Sequence, residues 1–211
     1  MELPKNAFKA AIAAKQVQIG LWCSLCSNIG AEILADSGFD WILIDSDHAP
    51  NELPSVLSQL QAFARGDATP IVRPAWNDPV LIKRLLDTGA QTLLVPFVQD
   101  ETEAARAVAS CRYPTAGVRG ITTGSRAARF GRIGNYLNEA DREICVLVQM
   151  ETLRAIERLD AIAATDGVDG VFIGPSDLSA SMGHMGNPQH PEVQKVIEDA
   201  AKRIAATNKA S

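Results

Sequence analysis

Cysteine, histidine, aromatic residues, long apolar runs and positive charge are all in short supply, and each shortage removes a class of protein. Four cysteines in 211 residues do not make a disulfide scaffold. The one close pair, Cys23-Ser24-Leu25-Cys26, could be a redox dithiol or half of a zinc site. No second pair completes a tetrad and no thioredoxin-like order of elements surrounds it, so it reads as small residues at the start of a helix. No apolar stretch approaches the roughly 18–20 residues that cross a bilayer. The N-terminal segment carries Lys5, Lys9 and Lys15 among alanines but no apolar region ending in a small-residue cleavage site. Lys and Arg number 20 against 25 Asp and Glu, a formal −5, and form no basic run, which disfavours nucleic-acid and anionic-membrane partners. These absences describe a soluble cytoplasmic protein.

What is present is apolar content of 46%, enough for one sizeable core and a single domain over residues 1–211. Short apolar runs at 17–22, 41–44, 70–72, 92–97, 144–150 and 168–173 predict six buried strands. Amphipathic helical patterns separate them, among them Leu53, Val56, Leu57, Leu60 and Phe63, then Leu153, Ile156, Leu159 and Ile162, then Val193, Val196, Ile197, Ala200 and Ile204. This alternation is the signature of repeated β-α units on a parallel sheet. Asp78 with Pro79 marks a helix start, and Gly89 and Gly38 mark helix ends. After a helix over about 101–111, a Gly- and Arg-rich stretch at 117–132 forms a long connection of the kind that is usually functional.

Such units build either an open doubly wound sheet or a closed (β/α)8 TIM barrel. No G-x-G-x-x-G or G-x-x-x-x-G-K-[ST] opens any helix, which removes support for the first. Polar residues favour the second, because they follow the strands: Asp45 and His48, Arg73, Gln149 and Glu151, Ser176 and Asp177. Barrel strands converge at their C-terminal ends on one mouth, where these positions would meet. There Glu151 and Asp177 could bind one hard divalent cation, Mg²⁺ or Mn²⁺, and Asp45 could orient the His48 ring. Arg73 supplies a fixed positive charge, and the turn from Gly174 to Asp177 offers backbone N–H groups to an anion. The set describes a cation-held 2-oxo acid whose enolate is also stabilised by Arg73. Singly, each residue has a plainer explanation: His48 as a loop histidine, Arg73 as half of a surface pair, Asp177 as a helix cap. His184 and His190 could suggest a metal pair, but Pro188 and Pro191 assign them to a loop.

Five segments, Trp41-Ile42-Leu43-Ile44-Asp45-Ser46-Asp47-His48-Ala49-Pro50, Val72-Arg73-Pro74-Ala75-Trp76-Asn77, Val118-Arg119-Gly120, Val148-Gln149-Met150-Glu151-Thr152 and Phe172-Ile173-Gly174-Pro175-Ser176-Asp177-Leu178, resemble the class II pyruvate aldolases of the 4-hydroxy-2-oxoheptanedioate aldolase family, with 2-keto-3-deoxy sugar-acid aldolases as near relatives. The resemblance runs in order from about Gly20 to the last residues. It implies a phosphoenolpyruvate/pyruvate-type barrel that cleaves a 4-hydroxy-2-oxo acid to pyruvate and an aldehyde, succinate semialdehyde for the heptanedioate. It places the base on His48, the charge-stabilising arginine on Arg73 and the metal ligands on Glu151 and Asp177, with Mg²⁺ or Mn²⁺ bound and Co²⁺ as a third candidate. Gln149, Ser176 and Asp177 fall at positions that contact the oxo acid. It also implies an aspartate, here Asp87, that raises the basicity of the histidine. Asp87 ends the helix after the third strand, at the far end of its own barrel, so it would act from a neighbouring subunit of a homo-oligomer, a hexamer by the resemblance. Asp45 is the nearer candidate within the chain.

No lysine stands at a strand end to form a Schiff base, which disfavours a class I aldolase. The sequence departs from the family at Asp47, where many relatives have Glu, and in the loop holding Met182 and His184. The family also continues into two more strands and their helices, whereas a closed barrel has eight strands in about 250 residues, so only about six units are expected here, C-terminally incomplete. Two other readings remain: a citrate-lyase-like enzyme acting on an acyl-CoA, with Arg119, Arg126, Arg129 and Arg132 serving the CoA phosphate, and a truncated non-catalytic barrel remnant.

Overall fold

The computed structural model describes residues 1–211. Six strands, β1 (Gly20–Cys23), β2 (Trp41–Asp45), β3 (Thr69–Arg73), β4 (Thr92–Val95), β5 (Cys145–Met150) and β6 (Gly170–Ile173), are hydrogen-bonded in chain order and all in parallel. A doubly wound sheet would reverse its order at a switch point. This one does not reverse, and it curls into a six-strand half-barrel. The helices are α1 (Ala7–Ala13), α2 (Asn28–Ala35), α3 (Leu53–Ala62), α4 (Pro79–Asp87), α5 (Glu101–Cys111), α6 (Tyr136–Glu143), α7 (Leu153–Glu157), α8 (Leu159–Ala164), α9 (Pro175–Ser181) and α10 (Pro191–Ala205). None is long and apolar enough to cross a membrane.

Strand alternation sorts the apolar side chains into two cores. Leu43, Ile71, Leu94 and Leu147 point to the concave side and pack with Phe8, Cys145, Trp22, Trp41 and Phe172. Ile42, Ile44, Val72, Leu93, Val95, Val146 and Val148 point outward into the larger core under the helices. On the concave side a cavity of about 400 Å³ lies among Phe8, Trp41, Ile71, Phe172 and Ala210. Its lining is the apolar barrel interior, so the polar strand-end residues lie elsewhere.

Helix boundaries follow the expected punctuation. The Asp78 carboxylate accepts from the Val80 and Leu81 amides ahead of Pro79, and Gly38 and Gly89 take φ of +88° and +98° after α2 and α4, a region that costs an L side chain energy. Three features differ from the pattern-based expectation. The Leu153–Ile162 pattern is two short helices separated at Arg158, and α1 and α6 lie outside the helical segments expected from periodicity. Cys23 ends β1 and Cys26 lies in the following loop, both as free thiols, and α2 is capped by the Ser27 side chain. The outer edge of β6 is not wholly bare: the Val171 amide donates to Ala210 at 2.9 Å, and Gly170 and Ala210 form a parallel bridge.

Candidate active site

Parallel register creates the site. Asp45 and Arg73 are the last residues of β2 and β3 and are paired across the sheet. Arg73 donates from Nε to Asp45 Oδ1 at 2.9 Å and from Nη2 to Oδ2 at 2.7 Å, a two-point clamp that fixes the guanidinium plane. Both side chains are almost fully buried, at 5% and 2% exposure. Burial works to raise the Asp45 pKa, but Arg73 and the Asp47 and His48 amides outweigh it and hold the carboxyl below its ordinary range. Trp22 backs the guanidinium at 5.2 Å, a cation–π contact in a desolvated setting.

The polar chain continues along β5. Arg73 Nη1 donates to Gln149 Oε1 at 3.5 Å, and Gln149 Nε2 donates to Glu151 Oε1 at 2.6 Å. The amide is thereby oriented, its oxygen toward the cation and its nitrogen toward the carboxylate. Glu151 Oε2 accepts from the Phe97 amide at 2.9 Å. Phe97 sits at φ +56°, a strained conformation for a bulky residue that aims its N–H at the carboxylate. Burial pushes the Glu151 pKa up to about 7, the Phe97 amide opposes this, and the charge of Asp177 adds to it. Asp177 itself is exposed in the first turn of α9, beside Ser176. A carboxylate pushed toward neutrality chiefly by burial, with the charge of a second carboxylate adding to it, has the chemistry that a hard divalent cation satisfies.

The structure alters one expected role. Asp45 does not orient the His48 ring, because its oxygens are taken by Arg73 and by the Asp47 and His48 backbone amides. The carboxylate nearest the ring is that of Asp47, with Oδ2 3.6 Å from His48 Nε2 and also 3.6 Å from Arg73 Nη1. His48 is 68% exposed. Asp87 lies apart from this set within the chain: its Oδ1 accepts from the buried Arg119 at 2.9 Å. Of the arginines considered for a CoA phosphate, Arg119 thus faces Asp87, and Arg126 donates to the backbone oxygens of Thr88 and Leu60.

Trp22 and the Phe97 amide are site members that the motif order did not single out, and the closeness of Asp47 to the His48 ring and of Gly174 to Glu151 shows only in the structure. A Cβ on Gly174 would lie 2.7 Å from Glu151 Cγ, 2.8 Å from Glu151 Oε1 and 2.9 Å from Gln149 Nε2. Glycine here is a matter of space, since φ is −88°. Gly174→Ala is expected to push Glu151 and Gln149 out of line, lowering stability by about 1–3 kcal/mol and turnover with it. Urea melts and steady-state kinetics check this; wild-type values in both would show that the strand end relaxes freely.

The family model described as HpcH/HpaI aldolase/citrate lyase matches residues 18–211. The chain is 59% identical over 206 residues to a 4-hydroxy-2-oxo-heptane-1,7-dioate aldolase of Klebsiella pneumoniae, covering 97% of this chain and 78% of that one. It is 58% identical over 209 residues to a pyruvate aldolase of Rhizobium etli, covering 99% and 82%. The crystal structure of a HpcH/HpaI aldolase/citrate lyase family protein from Burkholderia cenocepacia superposes with a TM-score of 0.91 at 40% identity, over 95% of this chain and 82% of that one. With strand-end carboxylates, arginine and histidine in one polar cluster and these relatives spanning nearly all of its length, the chain belongs to the HpcH/HpaI aldolase/citrate lyase family and is a carbon–carbon lyase.

Proposed function

We propose that this protein is a class II pyruvate aldolase of the phosphoenolpyruvate/pyruvate barrel type that cleaves 4-hydroxy-2-oxo acids, 4-hydroxy-2-oxoheptanedioate first among them, to pyruvate and an aldehyde. The observation that carries the reading is the buried chain Asp45–Arg73–Gln149–Glu151, with the exposed His48 ring reached from Arg73 through Asp47. In this reading Glu151 and Asp177 hold Mg²⁺ or Mn²⁺, with Co²⁺ as a third candidate. The cation supplies Lewis-acid polarisation of the 2-oxo group and neutralises charge on the oxo acid. Gln149 and Ser176 hold the oxo-acid end of the substrate, in line with their place around Glu151 and Asp177.

His48, exposed and without a strong partner, takes the C4 hydroxyl proton. The C4 oxygen then forms the aldehyde carbonyl as the C3–C4 bond breaks, and the bonding pair moves into the C2–C3 enolate. Arg73, immobilised by Asp45, stabilises the negative charge on the enolate oxygen without reorganising. A proton delivered to C3 completes pyruvate. Asp47, close to the His48 ring, stabilises the imidazolium that forms on proton uptake. Asp87 contributes only across a subunit boundary of a homo-oligomer, a hexamer in this reading.

A pyruvate-release assay over a panel of 4-hydroxy-2-oxo acids, with an acyl-CoA thioester alongside, tests the reading. Pyruvate from the hydroxy-oxo diacid is expected, and His48→Ala is expected to lower kcat by about 10²–10⁴-fold with a smaller change in KM. Thioester cleavage without pyruvate release, or an unimpaired His48→Ala enzyme, would overturn it.

A further inference from the structure

The loop between α9 and α10 brings together three metal-ligating side chains that lie outside the site described above. His184 and His190 stack with ring centroids 3.6 Å apart and planes inclined by 14°. Glu192 Oε2 lies 2.9 Å from His184 Nε2, and the three residues' ligand atoms fall within 4.8 Å of one another. His190 Nδ1 accepts from the Glu192 amide at 3.3 Å, which leaves its Nε2 free. The loop holds this arrangement through its backbone: the His184 amide donates to Ser179, Asn187 to His184 and His190 to Asn187, and Gln194 Nε2 donates to Pro188 O. Gly183 and Gly186 make the turns at φ of +82° and +74°.

An ion pair and a helix cap account for part of this, but not for two imidazoles face to face. Stacked in this way, the two rings and the Glu192 carboxylate put three ligand groups on one small patch of the loop and helix start. We propose that His184, His190 and Glu192 form a second cation site, distinct from the oxygen-only pair Glu151 and Asp177, that takes a late first-row divalent metal such as Zn²⁺. Imidazole nitrogen with one carboxylate favours Zn²⁺ over Mg²⁺. A tetrahedral zinc with bonds near 2.0–2.2 Å sets its ligands about 3.4 Å apart, so closing the cluster takes side-chain rotation that opens the stack. A water completes the shell. Bound zinc would clamp the 182–190 loop to the start of α10.

Equilibrium dialysis of the full chain against Zn²⁺, with Mg²⁺ in large excess to compete at the oxygen-only pair, reads retained zinc, and the variants assign it to a site. One retained zinc per chain is expected at about pH 7.5, with retention falling on acidification as protons compete with the metal for its ligands. His184→Ala and the exposed Glu192→Gln are each expected to weaken retention at least tenfold, as is His190→Ser, which keeps a capping oxygen for α10. Glu151→Gln should retain zinc as the wild type does. No zinc retained in the presence of Mg²⁺, or equal retention by wild type, His184→Ala and Glu192→Gln, would overturn the proposal; so would loss of zinc in Glu151→Gln with the cluster intact.

Discussion

Arg73→Ala is expected to reduce pyruvate release to near background and to destabilise the fold by about 3–5 kcal/mol, the usual cost of breaking a buried ion pair from one side. The guanidinium has three duties: it neutralises Asp45, it orients Gln149, and it faces the developing enolate. Its removal leaves Asp45, 2% exposed, as an unpaired buried carboxylate. The sign of the pH effect then changes. In the wild type the Asp45 pKa is held low, so its stabilisation is full above the unfolded pKa near 3.8 and is lost as pH falls through the lower folded value. In Arg73→Ala, burial dominates and raises that pKa, so the variant should recover stability on acidification. Arg73→Lys restores charge but not the two-point clamp, and should recover more stability than turnover. Urea melts across pH, beside kinetics, separate these effects. A lysine enzyme with wild-type kcat would show that fixed guanidinium geometry is not required.

Removal of divalent cations by excess chelator is expected to abolish turnover, with recovery on adding Mn²⁺ or Mg²⁺. The pH dependence of cation affinity follows from Glu151, which burial raises to about 7. Below that pH the cation must displace a proton, so affinity should fall by up to about tenfold per pH unit. The folded cation-free protein binds this proton more tightly than the unfolded chain does. Acidification from about 7 toward the ordinary carboxylate value of 4.5 therefore favours the cation-free fold, and the rise in Tm on adding cation should be greatest above pH 7. Asp177→Asn removes the adjacent charge, which should lower the Glu151 pKa while weakening cation affinity. Calorimetric titration at several pH values measures both. Full activity in excess chelator would rule out the cation's part in the reaction.

Much of this was legible along the chain. Apolar runs located every strand to within a few residues, because buried parallel strands are nearly continuous apolar segments, and the polar residues after those strands fall together because barrel topology makes their ends converge. The helices α1 and α6 were not anticipated. α6 follows the irregular Gly- and Arg-rich stretch, and only two of its residues, Tyr136 and Ala140, are buried, which is little apolar periodicity to read.

The sequence by itself determined the β-α repeat, the strand-end placement of His48, Arg73, Glu151 and Asp177, and the family. Local periodicity and punctuation carry that much, because each depends on residues a few positions apart. Only the tertiary structure decided which partner each group takes: Arg73 on Asp45, 28 positions away; the strained Phe97 amide on Glu151, 54 away; Asp47 rather than Asp45 beside the His48 ring. It also stacked His184 on His190 next to Glu192, where two prolines had suggested only a loop. Hydrogen bonds and charge pairs act over about 3–4 Å, and the register between strands and the course of loops bring side chains within that range without leaving a periodic trace in the chain.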